Sequence, residues 1–420
     1  MIKIISNVDG ISSRNTENSE NITKIVKEII ENVKINGDKA LFEYAEKFDN
    51  AKLSTLEVTK KEMEDAVSQI DAKFLETIKK SMKNIEDFHK NQLQKGFMVE
   101  KEGVILGQKV TPIEKVGIYV PGGKAVYPST VLMNVIPAKI AGCKQITMVS
   151  PPGPDGEISN GILACAFLAG VDKFYKIGGA GAVAALAYGT ETIEKVYKIT
   201  GPGNTFVATA KKEVFGEVDI DMIAGPSEIL VIADENANAR IIASDLLSQA
   251  EHDPMASSIL VTTSDKLAEN VQNELELQIP LLSRSDICRQ AIDENSYIIL
   301  CKSTDECFEI SNEIAPEHLE IMLENPFSYL PKIQNAGSIF LGKNTPEALG
   351  DYFAGVNHTL PTNGTAKFSS ALGTETFMKK STFVYYDEKT LEMAKDDIVR
   401  FATMEGLEAH AKSVSNRFEV

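Results

Sequence analysis

The sequence predicts an α/β fold with parallel sheets, because short apolar segments alternate with helical stretches over most of the chain. Strands that are buried on both faces need crossover helices of this kind to return the chain across the sheet. At roughly 150 residues per domain, a chain of 420 residues has room for two to three domains. We therefore expect two Rossmann-like units. The predicted strands are 116–120, 146–150, 173–177, 195–199, 229–233, 258–262, 297–300, 319–323 and 338–341.

The segments around this alternating region are helical. Residues 21–94 have the apolar spacing of amphipathic helices, and Gly37 is predicted to end one of them. Two short extended segments, 97–99 and 104–106, follow, and residues 396–416 are predicted to form a terminal helical arm. The predicted domains are 1–111, a helical segment packed on the second α/β domain; 112–226 and 227–365, the two α/β domains; and 366–420, the arm.

The composition excludes several classes of protein. The chain has 43 Lys and Arg against 60 Asp and Glu, a net charge of −17, which disfavours nucleic acid or an anionic membrane as the main partner. No apolar run reaches the roughly 18 residues of a membrane helix, and residues 1–10 do not resemble a secretory signal. The five cysteines form no CxxC pair, which argues against a disulfide framework and a thiolate zinc site. We expect a cytoplasmic protein.

Glycine and proline follow several predicted strands. Gly179, Gly181 and Ala184 match the pattern GxGxx(G/A) between a strand and a helix, where backbone amides can contact a pyrophosphate. The match is weak, because the acid expected about 20 residues later is missing from 198–201, and tight packing of the helix is the alternative. The strings VPGG, SPPG and TGPGN at other strand ends favour a ligand crevice on one rim, with ordinary turns as the alternative.

Two pairs of residues are candidate metal ligands. Gln249 and His252 are three positions apart at the end of a predicted helix, on one face, and the alternative is a helix cap before Pro254. Asp351 and His358 lie in one predicted polar loop, where a carboxylate and an imidazole suit a hard metal ion. Stabilisation of a turn is the alternative for this second pair.

The remaining histidines are weaker candidates, apart from His318. The five-residue offset between Glu405 and His410 does not align them on one ideal helix face, so an exposed helix surface is favoured. His89 is expected on the surface of a lysine-rich helix. Glu317 and His318 are adjacent in a predicted connection and form a candidate acid/base pair, because histidine titrates near neutrality and glutamate can activate water. The alternative is a surface pair beside the sheet.

Several strings are together more specific than any one of them: VGIYVPGGKAVYPSTVLMN, GPGN, AGPSE, DLLSQAEHDP, APEHLEI, GDY, NHTLPT and EGLEAH, in that order. They resemble histidinol dehydrogenase, from about the first long helix to nearly the last residue. The resemblance implies aldehyde-dehydrogenase-like domains, of which 112–226 binds NAD, and a C-terminal arm exchanged across a homodimer. It also implies an enzyme with one zinc ion per subunit that uses NAD to oxidise L-histidinol in the last steps of histidine biosynthesis.

The same resemblance assigns roles to residues of this chain. The implied zinc ligands are Gln249, His252, Asp351 and the partner subunit's His410. The implied substrate contacts are these ligands, Ser227, His318 and Glu405, with His358 close by. The implied NAD contacts are Tyr119 and Asn204.

The implied reaction has two oxidation steps. His318 removes the hydroxyl proton of L-histidinol, which zinc holds by its amino and imidazole nitrogens, while hydride passes to NAD. Histidinal stays bound, Glu317 activates a water that adds to the aldehyde, and His318 accepts a proton as a second NAD takes the second hydride. No cysteine nucleophile is needed, although Cys143 is a candidate former of a thiohemiacetal.

Two positions depart from the family pattern. Gly181 stands where the family usually has Gln, so that nucleotide contact is not carried over, and Val356 stands where proline is common. Other functions stay open: a paralogue that oxidises another polar alcohol, a non-catalytic protein that binds zinc or a nucleotide, and a zinc hydrolase without a redox step.

Overall fold

The structure is a computed structural model that describes residues 1–6, 19–122 and 126–419. In these ranges the strands are β1 Lys3–Ile5, β2 Glu57–Val58, β3 Phe97–Lys101, β4 Val104–Pro112, β5 Lys115–Tyr119, β6 Gln145–Ser150, β7 Lys173–Lys176, β8 Lys198–Thr200, β9 Asp219–Ile220, β10 Glu228–Ala233, β11 Ser257–Thr262, β12 Tyr297–Leu300, β13 His318–Met322, β14 Ser338–Leu341 and β15 Met378–Tyr386. The helices are α1 Ser19–Asp49, α2 Lys60–Gln69, α3 Ala72–His89, α4 Pro128–Ala141, α5 Asn160–Ala169, α6 Gly179–Tyr188, α7 Thr205–Val214, α8 Ala239–Ala250, α9 Asp265–Gln278, α10 Ser285–Asn295, α11 Thr304–Ile314, α12 Glu347–Tyr352, α13 Glu388–Met404 and α14 Glu408–Ser415. In the described ranges, none of these helices combines the length and apolar character needed to cross a membrane.

The first sheet has the strand order β2-β7-β6-β5-β8-β9. Its strands are parallel except for β2, which runs antiparallel to β7. Apolar residues of the central strands, such as Ile118 and Met148, are fully buried because helices cover the sheet. The carboxyl ends of β5, β7 and β8 lie on one rim, which the sequence predicted as a ligand crevice.

The second sheet has the strand order β1-β12-β11-β10-β13-β14, and all its strands are parallel. The central strand β10 is buried at every position, as its uninterrupted apolar run requires. Ile229 of β10 pairs with His318 of β13, so the amino ends of these two strands are adjacent. The predicted α/β fold with parallel sheets is confirmed, whereas β1 was not predicted.

The N-terminal helices pack mainly on the helices of the first sheet, whereas the sequence predicted packing on the second α/β domain, which α3 also contacts: Ser81 Oγ donates to the Tyr352 carbonyl oxygen and Asn84 Nδ2 to that of Phe353, both at 2.7 Å. Helix α1 contacts α6 and α7, α2 contacts α5, and α3 contacts α4. The physical reason is complementarity: the apolar face of α1, including Val26 and Val33, lies in one core with the alanines of α6, whose small side chains allow close approach. Gly37 ends the first of two helices within this segment, as predicted: its φ of 52° and ψ of −132° are not helical, and the second helix follows across a kink.

The chain divides into two compact units, and each is described by itself. The larger unit comprises Met1–Gln92 and Ile113–Phe377, so it contains both parallel sheets and also residues 366–377 of the predicted arm. The smaller unit comprises Leu93–Pro112 and the residues from Met378 onward. In it, β15 was not predicted; it pairs antiparallel with β4, which pairs with β3. The predicted terminal helices are present as α13 and α14, separated near Gly406.

Candidate active site

The candidate site lies at the amino ends of β10 and β13. The sequence predicted Glu317 and His318 in a connection, but His318 is the first residue of β13, where register with β10 fixes its backbone. Oε2 of Glu317 accepts a hydrogen bond from the Glu228 backbone N–H at 2.8 Å. The side chains of His318 and Glu317 are only 4% and 9% exposed, which excludes the alternative of a surface pair.

The imidazole of His318 is held through Nδ1. This nitrogen lies 3.0 Å from the Glu228 carbonyl oxygen and 2.8 Å from Nε2 of Gln249. Gln249 Nε2 also donates to the Glu228 carbonyl at 3.2 Å. Within the described ranges, the buried Nε2 of His318 has no hydrogen-bond partner, and the nearest acid recorded for it is Asp351 Oδ1 at 3.7 Å. The arrangement leaves one basic nitrogen directed at the carboxylate of Asp351.

Two carboxylates on the short helix α12 face His318. Glu347 and Asp351 are four positions apart, one helical turn, and both are buried. Single ligand atoms of His318, Glu347 and Asp351 all lie within 4.8 Å of one another, which is a possible cation site. The sequence placed Asp351 in a loop with His358; it lies instead on α12, while His358 is in the following loop.

Burial and mutual charge shift the pKa values of these groups. Burial raises the pKa of Glu317 to about 8 and that of Glu347 to about 7. Burial would lower the pKa of His318, but the carboxylates of Glu347, Glu317 and Asp351 outweigh it and raise that pKa well above its ordinary value. Burial opposes ionisation of Asp351 as well, yet the nearby imidazole of His318 and the neighbouring histidines hold its pKa below the ordinary range. Such perturbed groups are typical of catalytic sites.

The two predicted ligands Gln249 and His252 lie at the carboxyl end of α8. Gln249 is the penultimate residue of the helix, and its Oε1 is buried with no hydrogen-bond partner among the described residues. The His252 backbone N–H donates to the Gln249 carbonyl at 3.1 Å, so a turn beyond the helix presents the imidazole. Burial lowers the pKa of His252, which keeps it in the neutral form that binds metals. His252 also lines a cleft of about 330 Å³ with Arg284 and Tyr352.

The other predicted site residues fall in different places. Ser227 directly precedes β10, and its carbonyl accepts a hydrogen bond from the Ser257 N–H at 3.0 Å. Nδ1 of His358 lies 3.2 Å from the Asp351 carbonyl oxygen, so His358 packs behind α12. Glu405 follows α13 and His410 lies on α14, both exposed in the smaller unit. The roles predicted for Glu405 and His410 stay predictions.

Three buried acids of this region were missed at the level of sequence. Oε1 of Glu320, on β13, accepts a hydrogen bond from the Glu347 N–H at 2.8 Å, and the second carboxylate oxygen of Glu347 accepts one from Ser248 at 2.9 Å. Asp245 lies close enough to Glu320 for each carboxyl group to shift the pKa of the other. The available signal was spacing: Asp245 precedes Gln249, and Glu347 precedes Asp351, by one helical turn.

The rim of the first sheet carries the predicted nucleotide contacts. Tyr119 ends β5, and its hydroxyl oxygen accepts a hydrogen bond from the Gly179 N–H at 3.1 Å. Asn204 caps α7, with Oδ1 accepting from the N–H groups of Phe206 and Val207 at 3.1 Å. In contrast, Gly178 at the start of α6 provides no side-chain cap, and a Cβ on Gly179 would have no described atom within 4 Å. The amino end of α6 is therefore open to an anion.

Gly181 has a packing role. A Cβ at this position would lie 3.1 Å from Cδ2 of Tyr44 on α1, so the position faces the N-terminal helical layer. The alternative of tight helix packing, weighed against nucleotide contact for this motif, therefore applies to Gly181. Gly179, which faces open space, keeps the geometry of a phosphate contact.

Two further expectations are wrong. His89 is fully buried rather than on the surface, with Nδ1 2.6 Å from Oε1 of Gln92 and Nε2 3.5 Å from Nδ2 of Asn357. It fills the contact between α3 and the loop bearing His358. Cys143 is buried, and burial raises its pKa to about 12, so the thiolate needed to form a thiohemiacetal is not available at neutral pH.

Comparison with known proteins decides the family. Residues 12–418 match the sequence model of histidinol dehydrogenase. Histidinol dehydrogenase of Listeria monocytogenes is 56% identical over 409 residues, which cover 97% of this chain and 96% of that protein. The chain belongs to the histidinol dehydrogenase family. It is thus an oxidoreductase of the last steps of histidine biosynthesis.

Solved structures agree with this membership. The crystal structure of histidinol dehydrogenase from Elizabethkingia anophelis has a TM-score of 0.94 and 41% identity, with coverage of 100% of this chain and 98% of that chain. Betaine aldehyde dehydrogenase from Staphylococcus aureus has a TM-score of 0.52 at 10% identity, covering 88% of this chain and 83% of that chain. The second likeness shows the fold alone, and it is the aldehyde-dehydrogenase-like fold expected from the sequence.

Proposed function

We propose that this protein oxidises L-histidinol through L-histidinal to L-histidine with zinc and two equivalents of NAD. The observation that carries the proposal is the buried His318, fixed at Nδ1 and lacking a described partner at Nε2. Nδ1 lies 3.0 Å from the Glu228 carbonyl oxygen, and in the neutral tautomer with its proton on Nδ1, Nε2 is the base. That nitrogen is suited to take the hydroxyl proton in the first step and a proton of the hydrate in the second.

Glu317 fits the second step. It is adjacent to His318, its pKa is raised to about 8 by burial, and Oε2 is anchored on the Glu228 N–H. A carboxylate of raised pKa is a stronger base than an ordinary one, which suits removal of a proton from the water that adds to the aldehyde. The anchored position keeps this base beside the reacting carbon.

The donor set fits zinc. We assign Gln249, His252, Asp351 and the partner subunit's His410 as ligands, and the observation that supports this is the buried Gln249 Oε1, which no described residue satisfies. Neutral His252 and ionised Asp351 are in the protonation states that ligation requires. When bound, zinc supplies a Lewis acid that anchors the amine and imidazole of the substrate. Ser227, Glu405 and the ligands would complete the substrate contacts.

NAD fits the rim of the first sheet. The uncapped amino end of α6 and the open space at Gly179 suit its diphosphate. Tyr119 and Asn204 would contact the dinucleotide from β5 and α7. Burial raises the pKa of Tyr119 to about 12, so its hydroxyl accepts from Gly179 and keeps a proton to donate.

A homodimer with exchanged C-terminal arms is part of the proposal. Support comes from the apolar side chains that the smaller unit exposes, including Val384 at 68%, Phe401 at 74% and Met404 at 83%. If each arm serves the neighbouring site, mixing inactive His410→Ala and Glu317→Ala chains will restore activity in heterodimers. No recovery in verified heterodimers would sink the shared site. The cytoplasmic location stays a prediction, in keeping with five described cysteines that are free and buried.

The first test is the stoichiometry of NADH formed per L-histidinol consumed. Two NADH per histidinol, lost with a chelator and restored by zinc, is the expected result. Folded, zinc-loaded protein that binds no NAD would favour a zinc hydrolase without a redox step. No turnover of histidinol by folded, zinc-loaded protein would favour the paralogue that oxidises a different alcohol.

A further inference from the structure

The loop between β8 and α7 is built around a buried ion pair that none of the roles above uses. Lys211 lies on α7, and Nζ forms an ion pair with Oδ1 of Asp221, which follows β9. The two side chains are only 2% and 1% exposed. A buried pair of this kind is costly to desolvate and contributes stability only where further hydrogen bonds satisfy both ions, so its partners are informative.

Two of those partners are backbone groups of one residue, Gly201. Nζ of Lys211 donates to the Gly201 carbonyl oxygen at 2.9 Å, and the Gly201 N–H donates to Oδ2 of Asp221 at 2.7 Å. Oδ1 of Asp221 accepts a further bond from the Met222 N–H at 2.6 Å. The ammonium and the carboxylate thus clamp Gly201 from both sides.

The clamp fixes a strained point of the rim. Gly201 has φ 110°, and a Cβ there would collide with the carbonyl oxygen of Tyr119. Gly201 therefore packs directly against the end of β5. Asn204, three residues later, caps α7. The segment that runs from the contact with Tyr119 to Asn204 is therefore held in place at Gly201.

We propose that Lys211 and Asp221 are positioning residues for NAD, holding Gly201 so that Tyr119 and Asn204 present one preformed surface to the dinucleotide. This inference rests on the proposed function. Neither side chain is placed to touch NAD; their effect passes through the loop. A preformed loop avoids the ordering cost that a mobile one adds to binding, so its loss weakens cofactor affinity first.

A neighbouring ion pair provides a matched control. Lys198 of β8 and Asp219 of β9 form a second ion pair at 2.8 Å, with Lys198 10% exposed and Asp219 49% exposed at the side chain. That pair joins β8 to β9 directly, and its side chains have no recorded bond to Gly201 in the described structure. The matched variants are Lys211→Met with Asp221→Leu, and Lys198→Met with Asp219→Leu.

The double variant separates positioning from stability. Replacing both ions of a buried pair by apolar side chains is often neutral or stabilising, so the chain is expected to fold. The Gly201 N–H and carbonyl nevertheless lose their partners. We expect KM for NAD to rise about tenfold or more, because small misplacements near a reacting centre have effects of this size, with KM for L-histidinol within about twofold. The control double variant should keep both KM values.

Hydrogen exchange of residues 200–206, measured without cofactor, is the second readout. It should accelerate in the Lys211/Asp221 double variant and stay at the wild-type rate in the control. Unchanged exchange, or a melting temperature and NAD KM that both match the wild type, would overturn the proposal. A wild-type enzyme that binds no NAD would instead sink the proposed function, and the exchange rates would still decide whether the pair orders the loop.

Discussion

Two clusters of buried charge differ in their balance of sign. Beside the first sheet, Lys211 and Asp221 neutralise each other, and the recorded bonds tie both ions to backbone groups. Beside the second sheet, Glu317, Glu347 and Asp351 surround His318, so buried acids outnumber buried bases. Charge that is balanced fixes a backbone, whereas an excess of acid leaves groups that need a proton or a cation.

In the acid-rich cluster, a proton shared between two carboxylates would offset part of the excess negative charge. Asp245 and Glu320 are buried neighbours, each of which shifts the pKa of the other, and among the described residues Asp245 Oδ2 and Glu320 Oε2 have no hydrogen-bond partner, a lack that one proton shared between them would satisfy. Two carboxylate oxygens can bond only if one carries a proton. The pair supports Glu347, because Oε1 of Glu320 accepts its N–H. The second cluster therefore holds the start of α12 through the carboxyl group of Glu320, whereas the first holds a loop through Lys211.

The largest expected effect comes from removing the imidazole of His318, the base in the acid-rich cluster. In His318→Asn, the amide nitrogen can replace Nδ1 on the Glu228 carbonyl, but the basic Nε2 is lost. We expect kcat to fall about 10²- to 10⁴-fold, the usual contribution of a general base, with the melting temperature within a few degrees of the wild type. Steady-state kinetics and calorimetry test this. A kcat within about threefold of the wild type would remove His318 from the chemistry.

The next largest expected effect comes from removing Lys211, one ion of the balanced pair. Lys211→Met leaves Asp221 buried without its cation, and we expect a loss of about 3–5 kcal/mol in the free energy of unfolding. The control is Lys198→Met, whose partner Asp219 is half exposed, with an expected loss within about 1 kcal/mol. Urea denaturation of both variants measures the difference. Equal losses would contradict the distinction between the buried and the exposed pair.

Two substitutions at Glu320 test the shared proton. In Glu320→Gln, the amide oxygen can accept from Glu347 N–H and the amide nitrogen can donate to Asp245, so we expect a change within about 1 kcal/mol. In Glu320→Ala, both bonds are lost and buried groups stay unsatisfied, at a cost of about 1–3 kcal/mol. Denaturant unfolding of chelator-treated protein compares the two. If the glutamine variant is as unstable as the alanine variant, the proton is not shared.

The pair of Asp245 and Glu320 also makes the free energy of unfolding depend on pH. The pKa of Glu320 is raised from its ordinary 4.5 to about 9, chiefly by burial, so the folded chain retains a proton that the unfolded chain has released. Stability from this proton is complete below pH 4.5 and is lost as the pH rises toward 9. Relative to Glu320→Gln, the wild type should lose roughly 1.4 kcal/mol per pH unit, on the order of 4 kcal/mol between pH 6 and pH 9. Parallel stability curves for the two proteins would contradict this.

The sequence predicted the buried strands of the two parallel sheets better than it predicted β15 or the packing of α1. Buried strands such as β10 have short apolar runs rich in β-branched residues, and their length and flanking turn residues distinguish them from buried helices. β15 lacks that signal, because its side chains are largely exposed and its pairing with β4 spans hundreds of residues. The contact of α1 with α6 depends on the shapes of two distant faces, which periodicity within either helix does not specify.

The candidate site was predicted in outline for similar reasons. Gln249, His252, Glu317 and His318 carry local signals of spacing or adjacency. The roles of Glu320 and Lys211 could not be predicted, because they depend on contacts with Asp245 and Gly201 that only the folded sheets create. A lone lysine on a helix usually indicates a solvated surface, and nothing in its neighbours distinguishes Lys211.

The smallest expected effect lies outside both clusters. Cys143 is buried at the end of α4, and burial raises its pKa to about 12, yet it has no place in the proton transfers proposed here. Cys143→Ala should therefore leave kcat within about twofold while lowering stability by roughly 1 kcal/mol, because a small buried side chain is truncated. Loss of activity with the fold intact would mean that a thiol participates. Retained activity would show that a buried group with a shifted pKa is functional only where a charged or acidic partner lies beside it.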